Sequence, residues 1–251
     1  MRLAFAVIAL VAGFALVGCG DGYDEAVTTD TTTTSVESAR LRVYFLRDGQ
    51  VWPVAREVGD VLFDDIALDQ LLAGPNSDEM QLGLETALPE ELEADVTVED
   101  GVATVELEGA PELTREALAQ IVFTETALPL VESVAIGSET YSRSDFEEQT
   151  PSVLVESPLA FEDVTSPITA TGTANTFEAT FHYELTDTDG LIVDENFVTA
   201  TSGTGTRGTF EFTTDEYTVP FDGIGALIVF ERSAEDGSKM NIVEIPLRMS
   251  R

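Results

Sequence analysis

Asp-Gly pairs recur along this chain, at Asp48-Gly49, Asp100-Gly101, Asp189-Gly190, Asp222-Gly223 and Asp236-Gly237, between short apolar runs. Both residues of such a pair tolerate positive φ, and the tight turn they make folds one strand back on the next. Punctuation of this kind predicts a fold built largely of antiparallel strands. The flanking runs agree. Leu41 to Leu46 is rich in β-branched and aromatic residues, and Val51 to Val58 returns beyond Asp48-Gly49 as a hairpin partner. Asp95 to Val98 and Val102 to Leu107 flank Asp100-Gly101 in the same way. There Ala103, Val105 and Leu107 alternate with Thr104 and Glu106, which predicts one buried and one solvated face.

Two helices interrupt these hairpins. Ala67, Leu68, Leu71 and Leu72 stand at helical spacing, Asp64 or Asp65 offers an N-cap, and Gly74-Pro75 ends the pattern. Thr114 caps a second helix with a buried stripe of Leu118, Ile121 and Val122, and Val131 to Ile136 supplies a closing strand. Residues 39–137 thus read ββα-ββα-β, an α+β domain with helices on one face of a mainly antiparallel sheet. Residues 138–151 are polar and acidic without periodicity and read as a linker. Residues 152–251 are strand-like throughout. Phe177 to Leu185 alternates, with Phe177, Ala179, Phe181, Tyr183 and Leu185 on one side. Further strands cover Phe197 to Thr201, Thr209 to Thr213, Ala226 to Phe230 and Ile242 to Leu247. Short strands at this spacing predict an all-β sandwich.

Particular residues carry resemblances to known families. Ala67-Leu68-Asp69-Gln70-Leu71-Leu72-Ala73-Gly74-Pro75, Thr86-Ala87-Leu88-Pro89, Asp100-Gly101-Val102-Ala103-Thr104-Val105 and Gln120-Ile121-Val122-Phe123-Thr124-Glu125-Thr126 resemble the GerMN domain of sporulation and spore-germination lipoproteins. Glu125 departs from the pattern, which more often has an apolar residue there. The resemblance implies an α+β fold and no catalytic role. Val164-Thr165-Ser166-Pro167, Gly172-Thr173-Ala174, Phe177-Glu178-Ala179 and Val229 to Ser238 resemble the immunoglobulin-like domain of bacterial spore germination, a frequent companion of GerMN.

The N-terminal segment addresses location. Met1 and Arg2 precede an apolar run from Leu3 to Gly18, shorter than the roughly 20 residues a bilayer-spanning helix needs. It ends in Leu16-Val17-Gly18-Cys19, which looks like a bacterial lipobox. Residues 1–18 are expected to be a lipoprotein signal peptide. Cys19, the sole cysteine, is expected to carry acyl chains such as palmitate on the extracytoplasmic face of the cell membrane. Residues 19–38, rich in Thr and Asp, are expected to be a disordered tether.

Charge and side-chain chemistry narrow the function. Lys+Arg 12 against Asp+Glu 47 gives a net charge of -35, which repels nucleic acid. His182 is the single histidine and falls on the polar face of its strand, so neither a zinc site nor a catalytic base is expected from it. Gly203 to Gly208 lacks a Walker lysine and a following helix and reads as a flexible hairpin loop. Asp187, Asp189 and Asp194 lack EF-hand spacing. No cofactor or metal is expected. The leading expectation is a non-enzymatic, membrane-anchored protein whose domains bind envelope proteins or cell-wall material. A sensor holding a small ligand or germinant between the domains is the alternative, and a cell-wall hydrolase is third.

Overall fold

The first hairpin follows from its turn. The computed structural model describes residues 39–59, 66–109 and 112–251. In it β1 (Ala39–Arg47) and β2 (Gln50–Val58) pair antiparallel around Asp48 and Gly49, at φ 52° and 77°. Positive φ at both central residues gives the turn whose twist matches that of the strands. The pair forms a two-stranded sheet of its own. Its open edge is served by other elements. Tyr44 stands opposite Pro53, which has no N–H, and its own N–H donates to Thr124 Oγ1 at 3.0 Å while its carbonyl accepts from Gln120 Nε2 at 3.2 Å. Leu46 exchanges two backbone bonds with Glu85, each 2.9 Å. Buried backbone groups need partners, and here side chains and a loop supply them in place of a third strand.

Helix α1 (Ile66–Leu72) buries Ala67, Leu68 and Leu71, as the spacing predicts. Its Asp64 or Asp65 cap lies outside the described residues. A second short helix, α2 (Ser77–Gln81), starts at Asn76, whose Oδ1 accepts from the N–H groups of Asp78 and Glu79. Strands β3 (Ala94–Glu99) and β4 (Val102–Leu107) form the next hairpin, again with positive φ at Asp100 and Gly101. Thr114 caps α3 (Arg115–Glu125) through a bond from Ala117 N–H. The chain then crosses to β5 (Ser133–Ile136), parallel to β4. The α+β class stands, but the single sheet expected for this region is two, and the second holds a parallel pair because α3 supplies a crossover long enough to permit one. The stripe expected on α3 also widens: Leu118 is only half-buried, while Ala119 to Glu125 are all buried. The helix packs against β1, β2, α1 and β5 at once, so it has little solvent face.

Residues 138–151 are no loose linker. Strand β6 (Glu139–Tyr141) adds to β5, and 3₁₀ turns over Arg143–Gln149, kinked at Phe146, bury that phenylalanine completely. One apolar anchor leaves no periodic signal, yet it fixes the segment.

Past Pro151 the chain forms a sandwich from β7 (Val153–Ser157), β8 (Asp163–Val164), β9 (Thr169–Ala174), β10 (Thr180–Thr186), β11 (Ile192–Thr199), β12 (Gly208–Thr213), β13 (Gly223–Arg232) and β14 (Lys239–Met249). A five-stranded sheet, β11-β10-β13-β14-β8, faces a three-stranded one, β12-β9-β7. Phe181 and Tyr183 of β10 meet Phe210 and Phe212 of β12 at ring-centroid distances of 4.8 Å and 4.4 Å. The alternating strand starts later than predicted: Glu178 and Ala179 have positive φ, and Phe177 is exposed. The Gly203–Gly208 segment is neither a hairpin nor loose. It joins strands of opposite sheets, Thr204 N–H donates to Thr176 O at 2.9 Å, and Gly205 N–H donates to Asn175 Oδ1 at 2.8 Å. A Cβ on Gly203 would lie 2.5 Å from Thr176 O, so only glycine permits this approach. One hydrophobic core runs through both halves, and the described residues belong to one compact unit.

Candidate interaction site at the seam

The residues singled out in the sequence fall in separate places. Cys19 and its neighbours Leu16, Val17 and Gly18 lie outside the described residues. His182 is half-buried on β10, stacked on Phe230 with ring centroids 5.7 Å apart. Burial and the nearby Arg232 charge push its pKa down, so it is neutral at pH 7. Asp187 Oδ1 accepts from the N–H groups of Asp189 and Leu191, both at 2.9 Å. Asp194 Oδ2 accepts from the Tyr183 hydroxyl at 2.7 Å and from Asp215 N–H at 3.0 Å. These carboxylates shape loops, and among the described residues no group of three or more His, Cys, Asp or Glu is placed to hold a metal.

What the sequence did not reveal is a charged cluster at the seam between the halves. Tyr44 and Arg42 come from β1, Arg143 from the connecting segment and Glu156 from β7. Glu156 Oε1 accepts from the Tyr44 hydroxyl and from Arg143 Nη1 at 2.7 Å, with Arg42 Nη1 at 3.5 Å. Arg143 also donates through Nε to Thr126 Oγ1 at 2.7 Å and through Nη2 to the Phe123 carbonyl at 3.1 Å. Its guanidinium lies 4.8 Å from the Phe123 ring centroid. Burial alone would raise the Glu156 carboxyl, but Arg143, the Tyr44 hydroxyl and Arg42 outweigh it and hold the pKa below the usual range. Tyr44 is pushed up by burial first and by the Glu156 charge second.

A second fastening holds the other end of the segment. Arg207, from the Gly203–Gly208 loop, donates to both oxygens of Glu147, at 3.0 Å and 2.8 Å, and to the Pro151 carbonyl at 2.9 Å. Bidentate pairing of this kind fixes geometry as well as adding energy. The signal that could have marked these arginines is scarcity: with Lys+Arg 12 in 251 residues, each cation has many acids to choose from.

Two clefts open along the seam. One, of about 250 Å³, is lined by Arg40, Glu57, Asp78, Phe161, Glu162 and Arg248. Arg40 bridges it to Glu162 at 2.8 Å, and Arg248 lies 5.5 Å from the Phe161 ring centroid. The other, of about 200 Å³, is lined by residues including Arg47, Asp48, Trp52, Ile242 and Glu244. Both present groups of either sign beside apolar surface, which suits binding.

The class defined here is an α+β domain that shares a core with an immunoglobulin-like sandwich. Residues 42–139 match the family described as sporulation and spore germination, and residues 152–238 match the immunoglobulin-like domain of bacterial spore germination. The two matches lie in tandem along the chain, in the order the sequence resemblance implies. Neither is an enzyme family. No curated protein and no solved structure gives a significant match. Among the described residues, no helix is long and apolar enough to cross a membrane.

Proposed function

We propose that this protein is a lipid-anchored envelope protein, germination-protein-like, that acts by binding rather than by catalysis. The observation that carries this reading is the pairing of two germination-type domain matches in one compact unit behind a Leu16-Val17-Gly18-Cys19 segment that looks like a lipobox. Acyl chains on Cys19 hold the chain on the extracytoplasmic face of the cell membrane. The domains then engage an envelope protein or cell-wall material. Labelling with an alkyne-tagged palmitate should mark the wild type and not C19S. In-cell crosslinking read by mass spectrometry should return a reproducible envelope partner; its absence, with labelling intact, sinks the binding role but not the anchor.

The seam supports a second reading, a sensor with a small ligand seated in the cleft that holds Arg40, Glu162 and Arg248. A ligand bound there raises the melting temperature by mass action. A flat response across envelope metabolites removes this reading.

A further inference from the structure

The outer face of the five-stranded sheet, turned away from the sandwich core, carries several exposed apolar side chains, and only at Ile242 and Glu244 does it border the seam cleft beside Arg47 and Trp52. Strand register aligns residues into rows across it. Phe197, His182 and Phe230 stand side by side, with Phe230 only 1% exposed beneath Lys239 and Arg232, and Ile242 extends the row at a bulge on β14. Beside them run Glu195, Glu184, Ile228 and Glu244, then Ile192, Thr186, Ala226 and Pro246. A solvated sheet face ordinarily alternates to polar residues. Here Phe197 is 62% exposed, Ile242 55%, Ile192 51% and Ile224 49%. Apolar surface gathered on one face, rather than scattered singly, marks an interaction site.

Charge selects the occupant. The cations on this face are engaged: Lys239 pairs with Glu184, Lys239 Nζ and Arg232 lie 4.5 Å and 5.3 Å from the Phe230 ring centroid, and Arg248, opposite Ile224, donates to the Phe161 carbonyl. Glu195 and Glu244 are exposed and make no ion pair, on strands β11 and β14 at opposite ends of their row. Three strand spacings separate them, about 14 Å. A second copy of a chain with net charge -35 would bring like charges to this rim. We propose that the outer face of this sheet docks a protein segment with an apolar ridge flanked by basic residues. The proposal rests on the binding role above and names the partner class for one surface of it.

The test uses the full chain and a synthetic helical leucine–lysine peptide as probe, with a leucine–glutamate peptide of equal length as control, read by fluorescence anisotropy. F197S/I242S should weaken binding of the lysine peptide at least tenfold, and E195Q/E244Q several-fold with a reduced salt dependence. E106Q/E108Q, on the β3–β4 hairpin, should stay within twofold of wild type. Equal weakening by both glutamine pairs, with none from F197S/I242S, means bulk attraction and overturns the proposal. So does self-association of the wild type in sedimentation that F197S/I242S abolishes, which makes a second copy the occupant. Phe197-dependent binding to phosphatidylglycerol vesicles overturns it in favour of a membrane. Should F197S/I242S fail to fold, a photo-crosslinking residue at Phe197, compared with one at Thr97, must capture the lysine peptide selectively. Envelope partners that crosslink only through the first half would sink this surface and keep the binding role.

Discussion

Arg143 meets Glu156, Thr126 and the Phe123 carbonyl with three of its nitrogens, so removing it strips a buried carboxylate of its main partner. R143M should cost about 3 kcal/mol, the scale for breaking a buried pair, with Arg42 left as a weaker neighbour. Urea denaturation checks this, and a loss below about 1 kcal/mol would show that the cluster does not hold the seam. The same carboxylate sets a pH response. Its folded pKa lies below the unfolded value of about 4.3, so the unfolded chain takes up the proton first. The stabilisation is complete above that value and fades as pH falls through the folded pKa. Glu147, shifted the same way by Arg207 and Asn175 against its burial, adds to the effect. Wild-type stability should therefore drop below about pH 4.3, and E156Q should show a shallower drop across that window.

At the scale of elements, the connecting segment and the packing of β9 are the points to probe. Phe146 is fully buried, and Arg115 lies 4.4 Å from its ring centroid. F146A should cost about 3–5 kcal/mol, the scale for deleting a buried aromatic, although it sits in a stretch that reads as linker. A change under about 1 kcal/mol in denaturation would mean that the segment folds without its anchor. Gly172 in β9 has no room for a side chain: a Cβ would lie 2.0 Å from the Leu154 carbonyl oxygen and 2.8 Å from Phe210 Cζ. Backbone cannot yield as a flexible side chain can, so G172A should destabilise by about 2–3 kcal/mol, lowering the melting temperature measurably.

Over the whole molecule, the core that spans both halves predicts one cooperative transition. Trp52, the sole tryptophan, lies in β2 of the first half, while far-UV circular dichroism reports strands of both. Their urea midpoints should coincide, and a separation beyond about 0.5 M would show that the halves unfold independently. The distribution of charge belongs to this scale too. Much of the scarce positive charge is committed to fastening: Arg42, Arg143 and Arg207 each bind an acid across the seam. The surface left over is strongly acidic, which is why a basic partner complements it.

The residues by themselves determined what depends on near neighbours along the chain. Positive φ at Asp48-Gly49 and Asp100-Gly101, the Thr114 cap and the in-out alternation of β4 and of β10 from Phe181 to Tyr183 all follow from local backbone preference or period. Asp222-Gly223 shows the limit of local reading: Gly223 opens β13 without a positive φ, and a Cβ there would stand 3.1 Å from Thr188 Cγ2. Only the tertiary structure decided that the first hairpin stands apart from the second, that residues 138–151 weld rather than link, and that Tyr44 meets Glu156 112 positions away. The physical reason is the same in each case. A buried polar group or a lone apolar anchor is defined by what folds against it, and that partner lies far away in the chain, where no periodicity reaches.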